Sequence, residues 1–267
     1  MGILNVTPDS FSDGGAWATR DAALARAREM VAEGADIIDV GGESTRPGAQ
    51  AVSAQEEMDR VLPVVEAIAR ELDTCISVDT SSPALMRASA AAGAHLLNDV
   101  RALQRDGAVQ AAAATGLAVC LMHMRGEPAT MQQDAAYADV VAEVAAFLRA
   151  RVDACLQAGM AADRLLVDPG FGFGKTLAHN LGLLQRLPEI AAIGPPVLVG
   201  LSRKSMIGSL LAGPGGPRPL AGRLHGSVAA ALVAVMNGAC LVRVHDVAAT
   251  ADALAVFTAL QLQEPEQ

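Results

Sequence analysis

The chain is short of positive charge, of paired cysteines and of aromatic residues, and the first two shortages each remove a class of function. It carries 20 Lys and Arg against 29 Asp and Glu, for a net charge of −9 and a pI near 5.0. A nucleic-acid surface needs a dominant basic face to neutralise phosphates, so no nucleic-acid partner is expected. Any anionic ligand must be held by a few local cations. The four cysteines, Cys75, Cys120, Cys155 and Cys240, lie far apart and form no C-x-x-C pair. That spacing signals neither a zinc site nor a disulfide framework and suits buried thiols in a reducing compartment. The N-terminus lacks a basic region followed by an apolar run, and Val6 breaks the myristoylation pattern. Two uncharged stretches, 107–124 and 226–242, approach membrane-spanning length. Thr115-Gly116 and Asn237-Gly238 interrupt them, which predicts helix, turn and buried strand instead. A protein of the cytoplasm with no membrane partner is therefore expected.

What is present is apolar and regularly ordered. Of 267 residues, 52% are hydrophobic, enough for one large core. Short β-branched or Leu-rich runs alternate with longer Ala-rich amphipathic segments, which implies parallel strands joined by helices. The predicted strands are 3–5, 36–39, 76–79, 96–99, 117–122, 165–168, 197–200 and 241–244. Eight such units predict an α/β fold of the (β/α)8 TIM-barrel type, a single domain over 1–267. Ser53 and Glu56 have capping-box spacing, Ser82-Pro83 opens a helix, and Gly34 and Gly93 fall where helices should end. Pro63 interrupts the stripe of Met58, Val61, Leu62, Val65 and Ile68, and a kink rather than a loop is expected there because the periodicity continues. The first strand opens almost at Met1, leaving no segment for the barrel floor, as a truncated chain would. The tail 264–267 is expected to fray.

In a parallel barrel the carboxyl ends of the strands open on one face, and the loops there supply the chemistry. Asn5, Asp39, Asp79, Asn98, Asp99, Asp168, Arg243 and His245 fall at or just beyond predicted strand ends, with Lys204 close behind the seventh. Asp and Asn often end strands as turn formers or caps. Capping does not call for Lys, Arg and His at the same end, so the set predicts a polar pocket. Of the few aromatics, Phe11, Trp17, Phe171 and Phe173 also follow strands, which suits either a flat ligand or loops stapled to the rim. Residues 167–176, VDPGFGFGKT, superficially suggest a phosphate loop. Pro169 stands where a Walker A glycine is required and has no amide to donate. Met122-His123-Met124 lacks a second His or Cys cluster, so His123 reads as a strand-end histidine with structural bonds, and His95, His179 and His225 read as non-catalytic.

GILNVTPDSFSDGG (2–15) and IIDVGGESTRPGA (37–49) resemble the two signatures of the dihydropteroate synthase family. SVDTSSP, LNDV, MHMRGEPATMQ, VDPGFGFGKT, GLSRKSMIG and RVHDV follow in the family's order, so the resemblance covers essentially the whole chain. It implies condensation of (7,8-dihydropterin-6-yl)methyl diphosphate with p-aminobenzoate, giving 7,8-dihydropteroate and diphosphate. By resemblance Asn5 binds Mg2+ on the substrate diphosphate, and Arg243 and His245 form the anion pocket. The pterin site corresponds to Asp79, Asn98, Asp168 and Lys204, with Thr45 also contacting this substrate. Thr45, Arg46 and Pro47 belong to a second loop that closes over p-aminobenzoate near Phe173 and Ser202, and glycines 14, 15, 41, 42 and 48 suit such movement. A homodimer is the family's expected assembly. Ser82 departs from the family, where Lys is common, and reads as a helix cap.

The residue chemistry agrees with those roles. A 2-amino-4-oxo pyrimidine edge offers N–H donors to Asp168 and an acceptor oxygen to Lys204. Mg2+ takes oxygen ligands beside phosphate oxygens. Asp79, Lys204, Arg243 and His245 are the residues expected to carry catalysis: C–O cleavage comes early, the diphosphate is stabilised as it leaves, and the Asp79 and Asp168 carboxylates favour the pterin methyl cation that the aniline amine captures. A trapped covalent pterin–enzyme adduct on the reaction path would contradict this. The rivals are a pterin-dependent methyltransferase, which needs no diphosphate pocket, an aldolase using Lys204 as a Schiff base, and a catalytically inactive pterin-binding paralogue.

Overall fold

The computed structural model describes residues 1–6, 16–43, 52–126, 131 and 135–262, with the backbone alone at 16–19 and 262. The order is β1 Gly2–Asn5, α1 Ala16–Ala32, β2 Ile37–Gly41, α2 Ala54–Glu71, β3 Cys75–Asp79, α3 Pro83–Ala92, β4 Leu96–Asp99, α4 Ala108–Thr115 and β5 Ala118–Met122. It continues with α5 Val140–Gln157, β6 Leu165–Asp168, α6 Leu177–Gln185, α7 Leu187–Ala191, β7 Val197–Val199, α8 Ser205–Leu210, α9 Leu224–Met236, β8 Ala239–Val242 and α10 Val247–Leu262. The strands form one parallel sheet in sequence order. A parallel bridge between Gly2 and Val244, with Ile3 N–H donating to the Val244 carbonyl at 3.0 Å, brings its last strand back to its first. The result is the expected (β/α)8 barrel, whose core of Val, Ile, Leu and Ala fills the space between sheet and helices.

Both uncharged stretches resolve into helix, turn and strand. α4 ends at Gly116 and α9 just before Gly238, both in the left-handed region that glycine tolerates. β5 after α4 is largely buried as predicted, whereas β8 after α9 is buried only at Ala239 and Val242 and exposes Cys240. Among the described residues no helix is long and apolar enough to cross a membrane.

Several local expectations shift. Ser53 caps α2 by accepting from Glu56 N–H, but the Glu56 side chain pairs with Arg60, so the capping box is only half made. α2 runs through Pro63 to Glu71. Ser82 caps α3 with Pro83 in its first turn, as predicted. β2 extends to Gly41, which places Asp39 inside the strand rather than at its end. β8 stops at Val242 because it leaves β7 there and passes through Val244 to β1. Cys120 and Cys155 are buried, whereas Cys75 is half-buried and Cys240 exposed, so burial of the thiols is true of only part of the set. The tail 264–267 lies outside the described residues.

Candidate active site at the carboxyl ends of the strands

Sheet register builds the pocket. Asn5 pairs with Gly41, Gly41 with Asp79, and Asp79 with Asn98, so three of the expected polar residues occupy one row near the strand ends. A Cβ on Gly41 would meet that of Asp79 at 3.4 Å, an ordinary contact. Gly42 is packed hard, with Val61 Cγ2 2.8 Å from where its Cβ would be, so close packing explains this second glycine.

One row deeper, Asp39 is fully buried between Ile3 and Ser77. A buried carboxylate must be paired, and its partner comes from the far end of the chain. Arg243, just past β8, donates from Nε to Asp39 Oδ2 at 2.5 Å and from Nη2 to Asp79 Oδ2 at 2.8 Å. Asn98 Nδ2 also donates to Asp39 Oδ2, at 3.3 Å. Among the described residues, Asp39 Oδ1 and Ser77 Oγ are buried with no hydrogen-bond partner. Burial pushes the Asp79 carboxyl up to about 7 against the opposing pull of Arg243.

The other half of the pocket is built on β6 and β7. Asp168 closes β6, and burial raises its carboxyl despite the nearby Lys204 ammonium. Burial lowers Lys204 to about 8, again against the opposing charge of Asp168. Lys204 Nζ donates to the Phe171 carbonyl and stands 4.5 Å from the centre of the half-buried Phe173 ring. Phe171 itself is fully buried in the core, so its ring is no platform for a flat ligand and only its carbonyl faces the site. Ser202 Oγ lies 3.1 Å from both the backbone nitrogen and Nδ1 of His245. Arg243 and His245, expected to share one anion pocket, thus have different partners here. Arg203, beside Lys204, adopts a left-handed backbone and pairs with Asp246 outside the pocket.

The structure therefore brings Asp79, Asn98 and Arg243 into one bonded cluster around Asp39, and sets Lys204, Asp168 and Phe173 together. Thr45, Arg46, Pro47 and Phe11 lie outside the described residues, as does the side chain of Trp17. Asp99, counted among the strand-end candidates, is turned away: it accepts from Ser81 Oγ and from the backbone N–H groups of Arg101 and Leu103. Among the described residues no group of three His, Cys, Asp or Glu side chains is placed to hold a metal.

A half-buried arginine shared by two acids, with an acid and an ammonium opposite, is a site for a flat polar molecule bearing both donors and acceptors. The comparisons agree. The family model for pterin binding enzymes matches residues 1–245. Dihydropteroate synthase of Escherichia coli K12 is 56% identical over 97% of this chain and 90% of its own length. The chain belongs to the dihydropteroate synthase family. Yersinia pestis dihydropteroate synthase, solved with a sulfonamide drug complex, superposes with a TM-score of 0.91 at 53% identity, covering 98% of this chain and 94% of that one. Xanthomonas albilineans dihydropteroate synthase with 4-aminobenzoic acid gives a TM-score of 0.91 at 52% identity, covering 99% and 93%. The family assignment gives the two-sided pocket a chemical reading.

The lysine of the GFGK segment escaped the sequence reading. Lys175 is almost fully buried and faces His123, which makes the structural bonds expected of it. The signal was the alternation of Gly170, Gly172 and Gly174, all with positive φ. A motif reading looks there for amides that hold phosphate, whereas the carbonyls are what turn inward.

Proposed function

We propose that the chain joins (7,8-dihydropterin-6-yl)methyl diphosphate to p-aminobenzoate, releasing diphosphate. The observation that carries this reading is the two-sided buried cluster, Arg243 between Asp39 and Asp79 on one side and Lys204 near Asp168 on the other, in a member of the dihydropteroate synthase family. Asp168 accepts from the pterin's pyrimidine N–H groups and Lys204 donates to its oxo oxygen, while Asn98 and Asp79 hold the opposite edge. Phe173 and Ser202 line the p-aminobenzoate side, with Thr45, Arg46 and Pro47 completing it. The Xanthomonas albilineans relative with 4-aminobenzoic acid supports a site of that class.

The reaction needs a leaving diphosphate stabilised and a cationic methylene tolerated. Arg243 is neutralised twice over before substrate arrives, so in engaging the diphosphate it exchanges part of its bonding to Asp39 and Asp79 for phosphate oxygens. Partly freed of that arginine, Asp79 joins Asp168 in facing the ring on which positive charge develops. His245, held through Ser202, supplies a second donor. Mg2+ fits as a companion of the diphosphate rather than a resident of a protein cage. Asn5 offers one amide oxygen at the end of β1, in the same sheet row as Asp79, and no described trio of acidic or imidazole ligands competes. When bound, Mg2+ neutralises charge on the leaving group.

We also place the chain in the cytoplasm, consistent with four free thiols, and assign it a homodimer. The neighbouring helices α9 and α10 expose Val233, Met236, Val256 and Leu260, an apolar face suited to a second copy. The test of function is formation of dihydropteroate from both substrates with Mg2+ and with EDTA, read by mass spectrometry. Product and diphosphate in equal amounts, lost on chelation, are expected. Pterin binding without diphosphate release would instead indicate the inactive paralogue.

A further inference from the structure

We propose that Lys175 is a positioning residue: its buried ammonium clamps the loop between β6 and α6 against the end of β5, and so fixes the Phe173 wall of the p-aminobenzoate side. The consequence for p-aminobenzoate rests on the function proposed above, whereas the clamp itself does not.

The geometry is that of a carbonyl cage closed by the chain's own cation. Lys175 Nζ lies 2.9 Å from His123 Nδ1, 2.9 Å from the Gly170 carbonyl, 3.0 Å from the Phe173 carbonyl and 3.4 Å from the His123 carbonyl. Three N–H donors thus face four acceptors, none of them a carboxylate. The cage depends on the glycines. Gly170, Gly172 and Gly174 have φ of +68°, +83° and +62°, and this alternation directs the carbonyls of 170 and 173 inward. A Cβ on Gly170 would stand 1.9 Å from the His123 carbonyl oxygen, and one on Gly174 2.6 Å from that of Arg125, so the loop lies directly on the strand end. The loop amides are used elsewhere: Gly170 N–H donates to Asp168 Oδ1 and Gly172 N–H to Asn180 Oδ1, each at 2.7 Å. The loop therefore has the opposite polarity to a phosphate nest.

The same segment is held from the pocket side by Lys204, which donates to the Phe171 carbonyl and sits against the Phe173 ring. Lys175 inside and Lys204 outside fix the backbone between them. His123 accepts because it stays neutral: burial and the neighbouring Lys175 charge lower it to about 3. Without the ammonium, the Gly170 and Phe173 carbonyls lose their common donor, and Phe173 is no longer anchored from behind.

Hydrogen exchange across residues 169–174 of the full-length chain, wild type against Lys175→Met, tests the clamp with no substrate present. Exchange about tenfold faster or more is expected in the variant, and unchanged exchange overturns the proposal. In steady-state kinetics Lys175→Met is expected to raise KM for p-aminobenzoate about tenfold, with KM for the pterin diphosphate within about threefold. An equal rise in both, or a loss in kcat alone, contradicts positioning through Phe173. Phe173→Ala completes the cycle: its effect on that KM should add little to that of Lys175→Met, and strict additivity overturns the coupling. Should Lys175→Met fail to fold, Lys175→Gln, which keeps a shorter polar donor, is read the same way. If the wild type makes no dihydropteroate, the functional reading fails and the exchange measurement still decides the clamp.

Discussion

Lys175 and Lys204 grip the same glycine-rich loop from opposite sides, yet their surroundings are unlike. Lys175 is enclosed by neutral acceptors, three carbonyls and an imidazole, and is almost wholly buried. Lys204 stands at the pocket, where its charge faces Asp168 and the Phe173 ring and its carbon stem lies beside Gly172. The same side chain is thus enclosed by backbone in one place and turned to the pocket in the other. A cation whose donors are saturated by backbone has nothing left for a ligand. One that shares a low-dielectric space with a carboxylate can exchange that partner for a substrate of matching polarity. The Arg243 fork belongs with Lys204, because its partners are acids that a substrate can replace.

The largest expected effect sharpens that contrast on the acid side. Arg243→Ala leaves Asp39 buried without its cation and Asp79 beside it, so a stability loss of about 3 kcal/mol or more is expected in urea unfolding. Dihydropteroate formation should fall about a thousandfold, the scale for removing a charge-stabilising donor. Retention of activity would show that the fork is only structural. Next comes the loop. Gly170→Ala places a Cβ against the His123 carbonyl in a left-handed backbone, and a cost of about 2 to 3 kcal/mol is expected. An unchanged unfolding midpoint would mean that the loop does not rest on β5 as described.

Much of this arrangement was legible in the sequence, and the failures have physical causes. Most strands were readable as short apolar runs closed by Asp, Asn or Gly, whereas β5 and β8 run into His123 and Arg243; both uncharged stretches broke where glycine must take a positive φ. Asp39 was misplaced because β2 continues past it through Val40 to Gly41, and a glycine carries no strand signal. β8 was misplaced because its apolar alternation runs on to Val244, which bonds to β1 instead of β7. Phe171 drew attention as an aromatic in a loop, but only its carbonyl reaches the site. The Lys175 cage joins residues 52 apart and is made of backbone carbonyls, which have no residue-type signature. The partner of Arg243 lay 204 residues away and was equally invisible.

Smaller effects probe the pocket and the loop by pH. In the proposed reaction Lys204 works as the ammonium, and burial brings it down to about 8. Deprotonation removes the active form, so kcat/KM should fall as pH rises through about 8, and Lys204→Arg should move that alkaline limb upward. On the loop side, His123 is held at about 3 in the folded chain, well below its ordinary value. The unfolded chain therefore binds the extra proton first, and this group's contribution to stability is lost as pH falls from about 6.5 toward 3. His123→Asn should flatten the acid slope of the urea midpoint relative to wild type. The mildest change is Gly182→Ala within α6, where an added Cβ meets nothing within 4 Å. A gain of about 0.5 to 1 kcal/mol is expected, opposite in sign to Gly170→Ala.

If Asp168 and Lys204 hold the pterin edge, calorimetric titration of pterin diphosphate into wild type and Asp168→Asn will show it. Asn keeps the oxygen that receives the Gly170 amide but removes the charge. A Kd weaker by about tenfold to a hundredfold is predicted, the value of a charge-assisted hydrogen bond; an unchanged Kd in a folded variant would place the pterin elsewhere.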